Sequence, residues 1–139
     1  RTMTTKEYLS QVYLLSVRVR TKQQQAAELR NNISGVSGID YSGIKVQVTP
    51  TPKMQDSIDR LISLEELIAQ EILELEQKKE KIVNQINRLR SPLHIQILKM
   101  RYIDFLGWEK IAKQTKYSTR QIYRLHQNAI REFQERNKI

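Results

Sequence analysis

Five side chains near the C-terminus carry groups suited to reading a polar surface in a set pattern: Thr119, Arg120, Tyr123, Arg124 and Gln127. On a helix they share one side, while Ile122, Leu125, Ala129, Ile130 and Phe133 form an apolar stripe on the other. Guanidinium, amide and hydroxyl groups so placed can reach base edges and phosphates if the start of the helix enters a major groove. Ser118 stands where an N-cap belongs, so its hydroxyl is expected to hold the first turn and the direction of these side chains. Lys113 and Lys116, just before the cap, are expected to meet phosphates and so to contribute affinity without base preference.

Other elements must present that helix. Trp108-Glu109-Lys110-Ile111-Ala112 reads as a shorter helix, with Ala112 small enough for a second helix to cross over it and Gly107 expected to permit a tight turn before it. Further upstream, Ser91 suits a cap and Pro92 the first helical position, where no N–H is needed. Three helices would then share a core of Leu93, Ile97, Leu98, Tyr102, Ile103, Ile111, Ala112, Ile122, Leu125, Ile130 and Phe133. From Arg90 to Ile139 there are eleven Lys or Arg against four Asp or Glu, out of a net charge of +9 for the chain. A local excess of this kind favours a polyanionic partner.

The remainder is helical by pattern. Residues 5–33 repeat in steps of three and four through Leu9, Val12, Ser16, Val19, Gln23, Ala26, Arg30 and Ile33. Residues 34–53 lose the period and are expected to form a flexible connector: Gly35, Gly38 and Gly43 loosen the backbone, 44–48 alternate like a strand, and Pro50 and Pro52 argue against a helix. From Met54 the pattern resumes through Ile58, Leu61, Glu65, Ile68, Ile72, Leu75, Lys79, Ile82, Ile86 and Leu89, a heptad seam on a helix of roughly 54 Å. Glu65 and Lys79 would be interior charges that set register or oligomeric state rather than perform chemistry. The seam requires a partner, either residues 5–33 folded back as an antiparallel hairpin or another copy of the chain. Leu64, Leu67 and Leu73 widen the apolar face, so more than one neighbour, and a homodimer, are expected. The fold class is therefore all-α: a helical hairpin or coiled-coil domain over 1–90, then a three-helix DNA-binding domain with a helix-turn-helix over 91–139.

Leu98-Lys99-Met100-Arg101-Tyr102-Ile103, Gly107-Trp108-Glu109-Lys110-Ile111-Ala112, Tyr117-Ser118-Thr119-Arg120-Gln121-Ile122-Tyr123-Arg124-Leu125-His126 and Ala129-Ile130 resemble the helix-turn-helix of sigma-factor region 4. More narrowly, the chain resembles the phage and prophage late-gene transcriptional regulators of the RinA and ArpU type, which also tend to open with a Tyr-Leu helix, here Tyr8-Leu9, and to carry a heptad helix before Arg-Tyr-Ile. The resemblance implies a transcriptional activator of phage packaging and morphogenesis genes, bound to double-stranded DNA in the nucleoid of a bacterial host's cytoplasm, with host RNA polymerase as a further candidate partner. It places base contacts on Thr119, Arg120, Tyr123 and Arg124. Sigma proteins commonly carry Glu at the position of Arg120, so the element read here is expected to differ from theirs. Residues 1–90 lack the aromatic and basic cluster that opens a promoter, which argues against a stand-alone sigma factor.

The rest of the composition narrows the alternatives. The chain of 139 residues contains no cysteine and no apolar run near the ~20 residues of a membrane span, and no secretory signal is read before the first helix. His94 and His126 stand far apart, and no nucleophile set, metal-spaced acids or Gly-rich phosphate loop accompanies them. No enzyme, metal or cofactor is expected, and His126 is expected on the flank of the recognition helix, exposed or against a phosphate. Two rival readings combine the same parts: a small-terminase-like DNA-packaging adaptor, and a protein-interaction module in which the heptad helices do the binding.

Overall fold

The computed structural model describes residues 2–37 and 49–138, with side chains from 35–37 left aside. Among these described residues six helices run α1 (Thr5–Leu9), α2 (Gln11–Ser37), α3 (Pro52–Ile86), α4 (Pro92–Tyr102), α5 (Trp108–Thr115) and α6 (Thr119–Asn137). Among the described residues there is no strand, and every regular element is a helix. The strand-like stretch 44–48 lies outside the described residues, as does most of the connector.

Both ends of that connector are helical. α2 continues to Ser37, and Pro52, expected to bar a helix, is instead the first residue of α3. Proline costs nothing there, because the first N–H of a helix has no internal partner. Thr51 supplies the cap, its Oγ1 accepting from the Met54 N–H at 3.2 Å. The expected single helix over 5–33 is interrupted once: Ser10 closes α1, its hydroxyl donating to the Lys6 carbonyl at 2.7 Å. Such back-bonding by serine competes with the helical ladder.

Packing groups the residues into two compact units, 1–16 with 74–139 and 17–73. In the first unit, Leu9 and Val12 join Ile82, Ile86 and Leu89 of α3 and its end, Leu98 and Tyr102 of α4, and Ala129, Ile130 and Phe133 of α6 in one buried cluster. A second cluster, Ile97, Met100, Ile111, Ala112 and Ile122, closes α4, α5 and α6 on one another. The expected core residues fall in these clusters, with Leu93, Ile103 and Leu125 at their margins. Ser91 caps α4 through the His94 N–H at 3.3 Å and Pro92 follows it. Glu132 ties this junction to α6, its carboxylate accepting from the Arg90 N–H and from His94 Nδ1, each at 2.7 Å. Burial raises the Glu132 pKa, but these hydrogen bonds and the nearby imidazole outweigh it and hold the carboxyl below its ordinary value.

In the second unit α2 and α3 run antiparallel, as two ion pairs show: Lys22 to Glu71 at 2.9 Å and Arg30 to Glu65 at 2.5 Å. The interior charge is Glu71, only 9% exposed, rather than Glu65 or Lys79, which both face solvent. Within this unit the inward stripe of α3 runs Leu61, Leu64, Ile68 and Glu71, one position before the expected seam at every second step. Ile72 is therefore turned outward, along with Ile62, Leu67 and Leu73.

Candidate functional site

α6 owes its start to Ser118 and Gln121. The Gln121 N–H donates to Ser118 Oγ at 3.1 Å and the Ser118 N–H donates to Gln121 Oε1 at 2.9 Å, a reciprocal capping box. This satisfies two backbone donors that a helix start otherwise leaves open. Residues 116–118 connect α5 to α6, and Lys116 turns the chain with a left-handed φ of 64°. The N–H groups of Lys116 and Tyr117 both close on the Ala112 carbonyl. Ala112 and Ile111 are buried beneath Ile122, so the shorter helix and the longer one pack through small and branched side chains.

Gly107 departs from its expected part. Its φ is −72°, and a Cβ added there would meet nothing within 4 Å, so glycine is not required for the turn. The left-handed residue in that connection is Phe105, with φ 59°.

The residues expected to touch DNA divide into three groups. Arg120, Arg124 and Gln127 are exposed on α6, outside its buried stripe. Arg131, which the sequence reading passed over, extends the same stripe by one turn at the helical spacing of four from Gln127. Thr119 and Tyr123 lie nearer the core, Thr119 partly buried and Tyr123 set edge-on against Trp108 at 5.4 Å between centroids. Lys113 and Lys116 are exposed on α5 and the turn, while the Ser118 hydroxyl is engaged in the cap.

His126 is the clearest correction. It is 4% exposed rather than on a solvent flank, its Nε2 is 2.7 Å from the Tyr102 hydroxyl, and its ring lies edge-to-face with Trp108 at 4.6 Å. Burial lowers its pKa to about 4, helped by the positive charges of Lys6 and Arg101, so the imidazole is neutral at physiological pH. Burial also pushes the Tyr102 hydroxyl up to about 12 despite the Arg101 guanidinium beside it. Two neutral partners thus share one internal hydrogen bond between α4 and α6. Arg101 stacks over Trp108, 4.2 Å from the ring centroid, and donates to the Leu106 carbonyl at 3.1 Å. Apolar spacing alone would have indicated His126, which lies four residues after Ile122 and three before Ala129 on the inward stripe.

Among the described residues no group of His, Asp or Glu is placed to hold a metal ion, and no helix is long and apolar enough to cross a membrane. Compared with known proteins, the chain matches over residues 35–134 a family model described as "Protein of unknown function (DUF1492)". No curated protein and no solved structure matches it.

Proposed function

We propose that this chain, which belongs to the DUF1492 family, is a sequence-specific DNA-binding transcriptional regulator. The observation that carries the reading is the outward stripe of Arg120, Arg124, Gln127 and Arg131 on a helix whose opposite side is packed and whose first turn is capped. Side chains with no role in the core, on a helix with a rigid start, are what direct readout in a major groove requires. In this reading α5, the turn and α6 act as a helix-turn-helix similar to sigma-factor region 4, with Lys113 and Lys116 on phosphates and Tyr123 supporting the first turns from its place beside Trp108.

The finer reading follows the resemblance: an activator of phage late genes, working on double-stranded DNA in the host's nucleoid, with host RNA polymerase as a second contact. Single modules of this size read few base pairs and bind weakly. A homodimer supplies the second half-site, and the outward Ile62, Leu67, Ile72 and Leu73 of α3 offer it apolar surface.

Selection of bound sequences from random double-stranded DNA tests the proposal, followed by binding of variants to the selected site. Arg120→Ala or Arg124→Ala is expected to cost about 1 to 3 kcal/mol and to relax base preference. Lys113→Ala or Lys116→Ala is expected to weaken every sequence alike and to flatten the salt dependence. Equal losses from both pairs on all sequences would sink specific readout by α6.

A further inference from the structure

Beside the outward stripe, within the first compact unit, the protein encloses a cleft of about 680 Å³, inside the range of small-molecule sites. Its wall has an unusual makeup for a chance gap between helices. Lys6 and Arg101 both line it, and no carboxylate does. Both belong to one wall, where no lining residue neutralises them. Two aromatic rings at the wall, Tyr13 and Tyr123, remain 47% and 48% exposed although each already has an aromatic neighbour, Phe105 and Trp108 respectively. Gln127, with one amide donor group and one acceptor, completes the polar part of the wall.

We infer that this cleft is a nucleotide-binding site, in which Tyr13 and Tyr123 take the flat face of a base, Gln127 meets its edge, and Lys6 and Arg101 hold the phosphate. The cations without a carboxylate select an anion, and the exposed rings select a planar group. Stacking on an aromatic side chain tolerates any base, because every base has a flat π-face. The inference does not require the regulator reading above, although Tyr123 and Gln127 serve both. The nucleotide has two possible sources, a free mononucleotide or one nucleotide of an unpaired strand, and the shared chemistry is the same.

The full chain titrated with adenosine monophosphate, and separately with a short single-stranded oligodeoxyadenylate, tests this by calorimetry and by the emission of Trp108, the only tryptophan. Saturable binding of the mononucleotide is expected, with adenosine lacking phosphate at least about tenfold weaker. Lys6→Ala and Tyr13→Ala each remove an exposed side chain, should keep the fold by circular dichroism, and are expected to weaken binding about tenfold. Lys81→Ala, exposed on α3 and outside the cleft, should leave it unchanged. Saturation by the oligonucleotide alone, with the same sensitivity to Lys6 and Tyr13, assigns the site to a strand. Absence of saturation by either probe, or binding by Lys6→Ala and Tyr13→Ala equal to the parent chain, overturns the proposal.

Discussion

The two compact units are built from the same kind of element and held by different forces. In the first, Leu9, Ile82, Ile86, Ile97, Leu98, Ile111, Ile122 and Phe133 are wholly removed from water, and the buried His126 is paired with Tyr102, while Gln11 Oε1 is buried without a hydrogen-bond partner. In the second, Val19, Ala26 and Ile68 are the buried apolar side chains among the described residues, and Glu71 lies buried beside them. Its Oε1 meets Lys22, while its Oε2 is buried without a hydrogen-bond partner. Helical pattern alone therefore says little about how firmly a segment is held. What counts is how much apolar surface finds cover; each unit leaves a buried oxygen without a partner, but the one in the second unit belongs to a carboxylate, which costs more to bury than an amide.

The largest test of this contrast is Phe133→Ala, which empties the centre of the first unit and is expected to cost about 3 to 5 kcal/mol in denaturant unfolding followed by Trp108 emission. A loss below about 1 kcal/mol would mean that this core is no firmer than the other unit. Acid should separate the units next. Unfolded His126 takes a proton near 6.5, whereas the folded one resists until about 4. Stability is thus expected to fall as pH drops from 6.5 to 4, by up to about 3 kcal/mol, and to show no further His126 term below. In the variant His126→Phe, that part of the pH dependence should vanish.

In the second unit, Lys22→Ala leaves the Glu71 carboxylate without its cation and is expected to cost about 1 to 3 kcal/mol, read by amide exchange in α2 and α3. Glu71→Leu should be neutral or stabilising, because it continues the stripe of Leu64 and Ile68. A comparable loss from Glu71→Leu would show that the carboxylate itself is needed. Ser118→Ala should cost about 1 kcal/mol and fray the start of α6 alone. Arg30→Ala, at an exposed pair, should change stability by less than about 1 kcal/mol.

The first unit was the more legible because its signals are local. Ser118 and Gln121 announce the start of α6, Ser91 and Pro92 that of α4, and the apolar spacing places Ile122, Ala129, Ile130 and Phe133 together without ambiguity. The α3 stripe was read one position off at alternate steps, since Leu61, Ile68, Leu75 and Ile82 belong equally to two heptad registers. Lys22 on α2 accompanies the choice of Glu71 over Ile72, and a partner from a distant segment is invisible in the spacing of α3 alone. His126 was misplaced because a titratable side chain was assigned to solvent by type, although its position on the helix points inward and Tyr102, which satisfies it, is 24 residues away. The cleft beside it could not be foreseen, as Lys6, Tyr13, Arg101 and Tyr123 share no local motif.

One consequence of the geometry of α6 concerns change over generations. Positions 122, 126, 129, 130 and 133 maintain the fold, and 120, 124, 127 and 131 are exposed and stand outside both buried clusters. Stability and surface chemistry are thus written in separate, interleaved letters of one helix. Substitutions in the outward set carry little folding penalty, so a descendant chain can exchange that surface for another in a few steps and remain folded throughout.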